Sequence, residues 1–360
     1  MTTTSERLHR SNDAVEDPIL EVKNASVTFD GGETYVLDDV TFSIERNEIL
    51  GVVGESGSGK SMLASALLDA IPAPGHLSGE VLYHPDQHTT VDILEFTDDE
   101  LMEYRWADVS MVFQGAMSSF NPTMKVGAHF QDTLKAHNES VPDGMAFARE
   151  ILSDLYLDPE RVLDSYPHEL SGGMQQRALI ALSLLLEPEV LVMDEPTAAL
   201  DLLMQRSILL LLEDIKEKYD VTMVFITHDL PLVASLADRM AVMYAFELVE
   251  AGPRDQIIGE SAHPYTRALL NSTPNIDAPL EEMQPIPGKS PAPVNVPSGC
   301  SYADRCPLAT ETCTQDAPSF DQVEDGHTVA CHHWQRARDE INLSFAGADE
   351  TGRSTGGERR

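Results

Sequence analysis

Apolar and polar residues alternate at period two over Ile19–Phe29 (ILEVKNASVTF) and Thr34–Ile44 (TYVLDDVTFSI). This predicts a hairpin that turns at Asp30-Gly31-Gly32. Farther on the pattern changes to short unbroken apolar runs: ILGVV at 49–53, VSMVF at 109–113, VLVM at 190–193 and TMVFIT at 222–227. Such runs predict strands covered on both faces. Ala, Leu and Met recur at three- and four-residue spacing after them, predicting helices over Met62–Ala70, much of Val126–Leu186, Leu202–Tyr219 and Pro231–Ala237. Met240–Tyr244 and Glu247–Val249 read as closing strands, and the Pro-, Gly- and His-rich Ile71–Val91 as a surface excursion. Alternating strands and helices imply a largely parallel sheet that binds ligands at its strand carboxyl ends, with an antiparallel layer beside it.

Those strand ends carry the candidate chemistry. The first run leads into Gly54-Glu55-Ser56-Gly57-Ser58-Gly59-Lys60-Ser61, which fits the P-loop pattern G-x-x-x-x-G-K-[ST] between a strand and a helix. Glycines let the backbone turn its N–H groups toward phosphate oxygens. Lys60 is placed to reach the β- and γ-phosphates of a nucleotide, and the Ser61 hydroxyl to ligate Mg²⁺. Gln114, Asp194-Glu195 and His228 end three other strands. Taken singly, a carboxylate pair can be a helix cap and a lone histidine a structural residue, but packing alone explains their convergence poorly. Ser171-Gly172-Gly173 suits a helix N-terminus and forms a second candidate anion site. Phe29, beside the hairpin turn, suits an adenine-stacking ring or a core residue equally well.

Composition narrows the class. The chain has 24 Lys+Arg against 60 Asp+Glu among 360 residues, a formal net charge of −36. Such a surface repels nucleic-acid phosphate and suits a protein kept soluble in a salty cytosol. Residues 1–17 are polar, with no signal-peptide pattern, and no apolar run approaches the roughly 18 residues of a membrane span. Pro285–Pro297 reads as a proline-rich linker. Cys300, Cys306, Cys313 and Cys331 follow it with five, six and seventeen residues between them, unlike the paired C-x-x-C of a zinc ribbon. Four thiolates can hold Zn²⁺ or an iron–sulfur cluster, and the spacing does not choose among these, reduced thiols and a disulfide.

In order along the chain, Gly54–Ser61, Gln114, LSGGMQ at 170–175, VLVMDEP at 190–196 and His228 resemble an ABC transporter ATPase subunit. The tail, with His263-Pro264-Tyr265-Thr266, Ile286-Pro287-Gly288 and the four cysteines, resembles that of oligopeptide/dipeptide (nickel) importers. The resemblance implies an α/β P-loop cassette over 18–253 with a helical subdomain near 115–186. It also implies a cysteine-bearing extension over 254–335, ahead of a polar tail at 336–360. It further implies that Asp194 holds Mg²⁺ with Ser61 and Gln114, that Glu195 orients or deprotonates water, and that His228 and Gln114 contact the γ-phosphate. Ser171, Gly172 and Gly173 would complete the ATP site of a partner cassette, with Asp201 between the two sites. Some relatives carry a [4Fe–4S] cluster on this tail. The implied partners are a paralogous cassette (or a second copy), two permease subunits and an external solute-binding protein, with the chain peripheral on the cytoplasmic face. Two residues depart from the common pattern: Ala198, where a hydroxyl is frequent, and Phe246, where glycine is usual in the closing hairpin. Rival readings are a soluble ABC ATPase of the repair or translation kind and a nucleotide-binding regulator that does not turn over.

Overall fold

A computed structural model of the chain describes residues 17–113, 115, 119–198, 200–273, 286–294 and 297–343. The predicted hairpin forms: β1 (Pro18–Phe29) pairs antiparallel with β2 (Thr34–Glu45). The four-stranded sheet continues through β4 (His76–Asp86) and β5 (Thr89–Asp92) in the order β2-β1-β4-β5. The surface excursion expected at Ile71–Val91 is therefore mostly strand. Leu77, Val81 and Tyr83 turn into the core while polar neighbours face outward, and the register shift between Lys23 and Ser26 interrupts the alternation.

The second sheet holds β3 (Ile49–Val53), β6 (Val109–Val112), β7 (Val190–Asp194), β8 (Thr222–Thr227), β9 (Arg239–Tyr244), β10 (Glu247–Pro253), β11 (Phe320–Glu324) and β12 (His327–Ala330). Their order is β11-β12-β10-β9-β3-β8-β7-β6. The strands from β9 to β6 run parallel, and β10, β12 and β11 close the other side antiparallel. Every residue of β3, β7 and β8 is buried. Leu50, Val52, Val192 and Val224 pack with the antiparallel layer, while Ile49, Val53, Met193 and Phe225 pack with the helical side. Coverage on both faces explains why these strands read as unbroken apolar runs.

Helices Val126–Ala136, Val141–Asp154, Pro159–Asp164 and Gly172–Ser183 build the helical subdomain. Helix Leu202–Tyr219 follows β7, and Leu230–Leu236 follows β8. Helix Asp98–Ala107, which the apolar pattern does not announce, opens with a capping box between Thr97 and Glu100.

The extension beyond 253 shares the core sheet, because β12 pairs with β10 through Glu250↔Val329 and Ala251↔Thr328. Glu250 Oε1 also meets His327 Nε2 at 2.8 Å, both side chains fully buried. Helix Trp334–Glu340 runs across the boundary placed at 336, so the polar tail begins as ordered helix.

Candidate functional site

Adjacent parallel strands place their carboxyl ends side by side about 4.8 Å apart. In the order β3-β8-β7 this sets the P-loop beside His228 and Asp194-Glu195 on one sheet edge. The P-loop threads a narrow space: a Cβ on Gly54 would lie 2.2 Å from the Met243 carbonyl oxygen. Gly59 has φ +102°, in the left-handed region, and a Cβ there would approach the Val36 carbonyl oxygen to 2.7 Å. Ser58 is buried, Ser56, Gly57 and Ser61 are exposed, and helix Lys60–Ala66 begins within the motif.

Lys60 is buried. Its ammonium donates to the carbonyl oxygens of Gly54 (2.9 Å) and Glu55 (2.8 Å), with Ser58 Oγ at 3.4 Å. Burial pulls its pKa below the usual lysine value, and the negative charges of Glu195, Asp194 and Glu55 oppose that shift. Burial pushes the Asp194 carboxyl above the ordinary carboxylate range; Glu195 adds to this, while the Ser61 hydroxyl and Lys60 counter it. Asp194 Oδ1 is buried without a hydrogen-bond partner. An orphaned carboxylate oxygen beside a serine hydroxyl is the donor set a hard cation such as Mg²⁺ takes, so Ser61 and Asp194 fit that ion.

Glu195 sits in the left-handed region at φ +47°, just before Pro196. Its N–H donates to Ile226 O at 2.9 Å, holding the turn against β8. His228 Nδ1 lies 3.0 Å from Glu195 Oε1. This combination can align a water and bear a proton at the carboxylate.

Other predicted residues lie apart from this edge. Ser171 caps helix Gly172–Ser183, its Oγ accepting from Met174 N at 3.4 Å, with Gly172 and Gly173 in the first turn. Asp201 caps helix Leu202–Tyr219, accepting from the N–H groups of Leu203 and Met204 at 3.1 and 3.0 Å. Phe29 is half-buried and packs with Ile71 against the core. Gln114 lies outside the described residues. A groove of about 670 Å³ opens between Trp106, Phe113, Met124 and Leu182, with Phe113 half exposed.

Phe246 takes φ +76° in the turn between β9 and β10, and its main chain ties two elements together. Its N–H donates to Ser58 O at 3.0 Å and its carbonyl accepts from Asp38 N at 3.0 Å. The turn forms without glycine, and its backbone buttresses the P-loop.

The four cysteines are free thiols lining one cavity of about 10 Å³, together with His332 and His333. Burial pushes Cys300 up to about 11 and Cys331 up to about 12, and the neighbouring thiols add to the Cys331 shift. Four converging sulfurs suit a tetrahedral metal or a cluster. Among the described residues, however, no three ligating groups are already close enough to hold an ion.

Sequence reasoning did not find the contacts that reach the P-loop from the extension. Tyr265 Oη accepts from Glu55 N at 2.9 Å, and Arg305 and Ser290 bind the Glu55 carboxylate. The sequence separations of 210, 235 and 250 residues leave no local signal.

The family described as ABC transporter matches residues 37–198, and that described as oligopeptide/dipeptide transporter, C-terminal region, matches 249–313. The dipeptide transport ATP-binding protein DppD of Caldanaerobacter subterraneus subsp. tengcongensis is 43% identical over 310 residues, covering 85% of this chain and 94% of its own. The oligopeptide transport ATP-binding protein OppD of Escherichia coli K12 is 38% identical, covering 88% and 93%. Among solved structures, the dimeric structure of MJ0796, a bacterial ABC transporter cassette, is 28% identical at TM-score 0.57, covering 65% of this chain and 98% of its own. A post-hydrolysis dimer of the same cassette, bound to ADP and Pi, aligns at TM-score 0.56.

Proposed function

The chain belongs to the ABC transporter ATP-binding family, in the branch that carries the oligopeptide/dipeptide C-terminal region, and from that premise we propose that it powers peptide import by hydrolysing ATP. The observation that carries the reading is the shared sheet edge of Lys60, Asp194, Glu195 and His228.

Lys60 binds the β- and γ-phosphates and offsets their charge. Ser61 and Asp194, with Gln114 as a further ligand, would hold Mg²⁺, which would supply positive charge to offset that of the transferring phosphoryl group. Glu195 orients the attacking water and accepts its proton, and His228 contacts the γ-phosphate. Phosphoryl transfer needs little covalent work from the protein, so positioning and charge account for most of the acceleration.

Ser171, Gly172 and Gly173 serve the nucleotide of a partner cassette, with Asp201 between the two sites. The partner is a paralogous subunit, or a second copy. Two permease subunits and an external solute-binding protein complete the importer, and the groove lined by Trp106, Phe113 and Met124 receives the permease. No helix among the described residues is long and apolar enough to cross a membrane, which suits a peripheral subunit on the cytoplasmic face. The relatives are named for dipeptide and for oligopeptide transport alike, which fits a solute selected by the other chains.

The test is Glu195→Gln in the purified chain. It should retain Mg-ATP and release phosphate at least about a hundredfold more slowly, in line with the loss of a general base. Hydrolysis at the wild-type rate overturns the assignment. Reconstitution with the permeases separates an importer from a soluble ABC ATPase or a regulator, because only the importer couples hydrolysis to peptide uptake.

The four cysteines form a candidate centre for a [4Fe–4S] cluster or Zn²⁺. The thiols must rearrange before they can hold either an ion or a cluster, since no ligating group of three is formed among the described residues. A visible charge-transfer band from anaerobically purified protein identifies the cluster; zinc by elemental analysis without that band identifies the ion, and neither leaves reduced thiols.

A further inference from the structure

Glu55, the second residue of the P-loop, is gripped by the extension. Arg305 Nη1 and Nη2 donate to its two carboxylate oxygens at 2.9 Å each, a fork-on-fork pair. Ser290 Oγ donates to the same carboxylate at 2.7 Å, and Tyr265 Oη accepts from the Glu55 N–H at 2.9 Å. The remaining polar group of Glu55, its carbonyl oxygen, accepts from Lys60 Nζ at 2.8 Å. One peptide of the phosphate cradle therefore has the extension on its side chain and N–H, and the phosphate-binding lysine on its carbonyl.

Arg305 is itself held. Its side chain is 5% exposed, and Nε donates to Pro287 O at 2.7 Å. Nη1 also donates to Tyr244 Oη at 3.1 Å, and the guanidinium lies over the rings of Tyr244 and Tyr302 at 5.5 and 5.8 Å. The loop around Pro287 is anchored a second time near the nucleotide edge, where Pro293 O accepts from Tyr35 N at 3.0 Å. A surface ion pair in a chain this acidic would be dispensable. A planar, stacked, bidentate pair fixes orientation instead.

We propose that Arg305 is a positioning residue of the nucleotide site, holding Glu55 so that the order of the extension and the occupancy of the phosphate cradle are linked. The proposal rests on the reading of the P-loop as the ATP site. Linkage is reciprocal: if the extension favours the nucleotide-binding shape of the loop, bound nucleotide must stabilise the extension by the same factor.

The experiment uses the full chain with Arg305→Ala, Arg305→Lys, Glu55→Gln and the Arg305→Ala/Glu55→Gln double variant. Arg305→Ala should raise KM for Mg-ATP and weaken Mg-ATP binding roughly tenfold, within the usual range of coupling between sites, while kcat changes less. Arg305→Lys, which keeps charge but loses the fork, should recover part of the affinity. The double variant should be no weaker than the worse single. In wild type, Mg-ATP should slow hydrogen exchange over 286–294 and 297–305, and in Arg305→Ala it should not. Wild-type affinity with an unchanged exchange response in Arg305→Ala, or additive losses in the double variant, overturns the proposal. If Arg305→Ala does not fold, Glu55→Gln alone decides, since it leaves the extension intact. Lys60→Ala separates the two readings: retained Mg-ATP binding there sinks the P-loop assignment itself rather than the clamp.

Discussion

His228 Nδ1 stands 3.0 Å from Glu195 Oε1, joining the turns that end β8 and β7. An ionised carboxylate can only accept, so Nδ1 is the donor in this contact. His228→Ala should lower kcat by on the order of 10²–10³, the loss typical of one transition-state donor. Mg-ATP affinity should change much less, because the proposed grip on the phosphates is that of Lys60. Single-turnover phosphate release beside equilibrium nucleotide binding reads both quantities, and an equal loss in each contradicts the assignment.

Glu250 organises the junction between core and extension. Its carboxylate accepts from Ala262 N, from His263 N at 3.2 Å, and meets His327 at 2.8 Å, all in full burial. Removing one partner of a buried polar pair strands the other. Glu250→Ala should cost about 3–5 kcal/mol, with Glu250→Gln milder because its one carbonyl oxygen still accepts from Ala262 N or from His263 N, though not from both. Denaturant unfolding gives the difference, and a loss under about 1 kcal/mol contradicts the pairing.

Burial pushes the Glu247 carboxyl up to about 7; Asp38 and Asp39 add to the shift, and a hydrogen bond from Ser301 opposes it. An acid whose folded pKa is raised favours the fold when protonated. Its contribution is full below the ordinary glutamate value and is lost as pH rises through about 7. Glu247→Gln should therefore melt higher than wild type at pH 8, with the gain shrinking toward pH 5. A gain independent of pH would point to packing instead.

A net charge of −36 repels itself at low ionic strength. Raising salt from about 0.1 M to 1 M shortens the screening length from about 10 to 3 Å. The melting temperature should climb across that range in KCl, and a flat response excludes a salt-requiring fold.

Much of the core was legible because its pattern is local and clean. Helix Leu202–Tyr219 and strand Thr222–Thr227 lie where the apolar spacing puts them, to the residue. The P-loop was legible for another reason: phosphate binding needs glycines and lysine at fixed short spacing. Strand His76–Asp86 was not, since half of its positions are polar and its pairing slips register. Helix Asp98–Ala107 mixes its apolar residues with acids and buries only Leu101 and Tyr104, so its capping box is the clearest mark. The Arg305–Glu55 contact joins residues 250 apart, and one arginine among sixty acids does not name its partner.

The pairing of β12 on β10 has a practical corollary. Without it, β10 would present a row of open peptide groups, a template for joining another chain edge to edge. A truncation at the cassette boundary near 253 would uncover that edge together with the inward carboxylate of Glu250. Such a fragment should self-associate, and this ATPase is best handled, and inherited, as one indivisible piece.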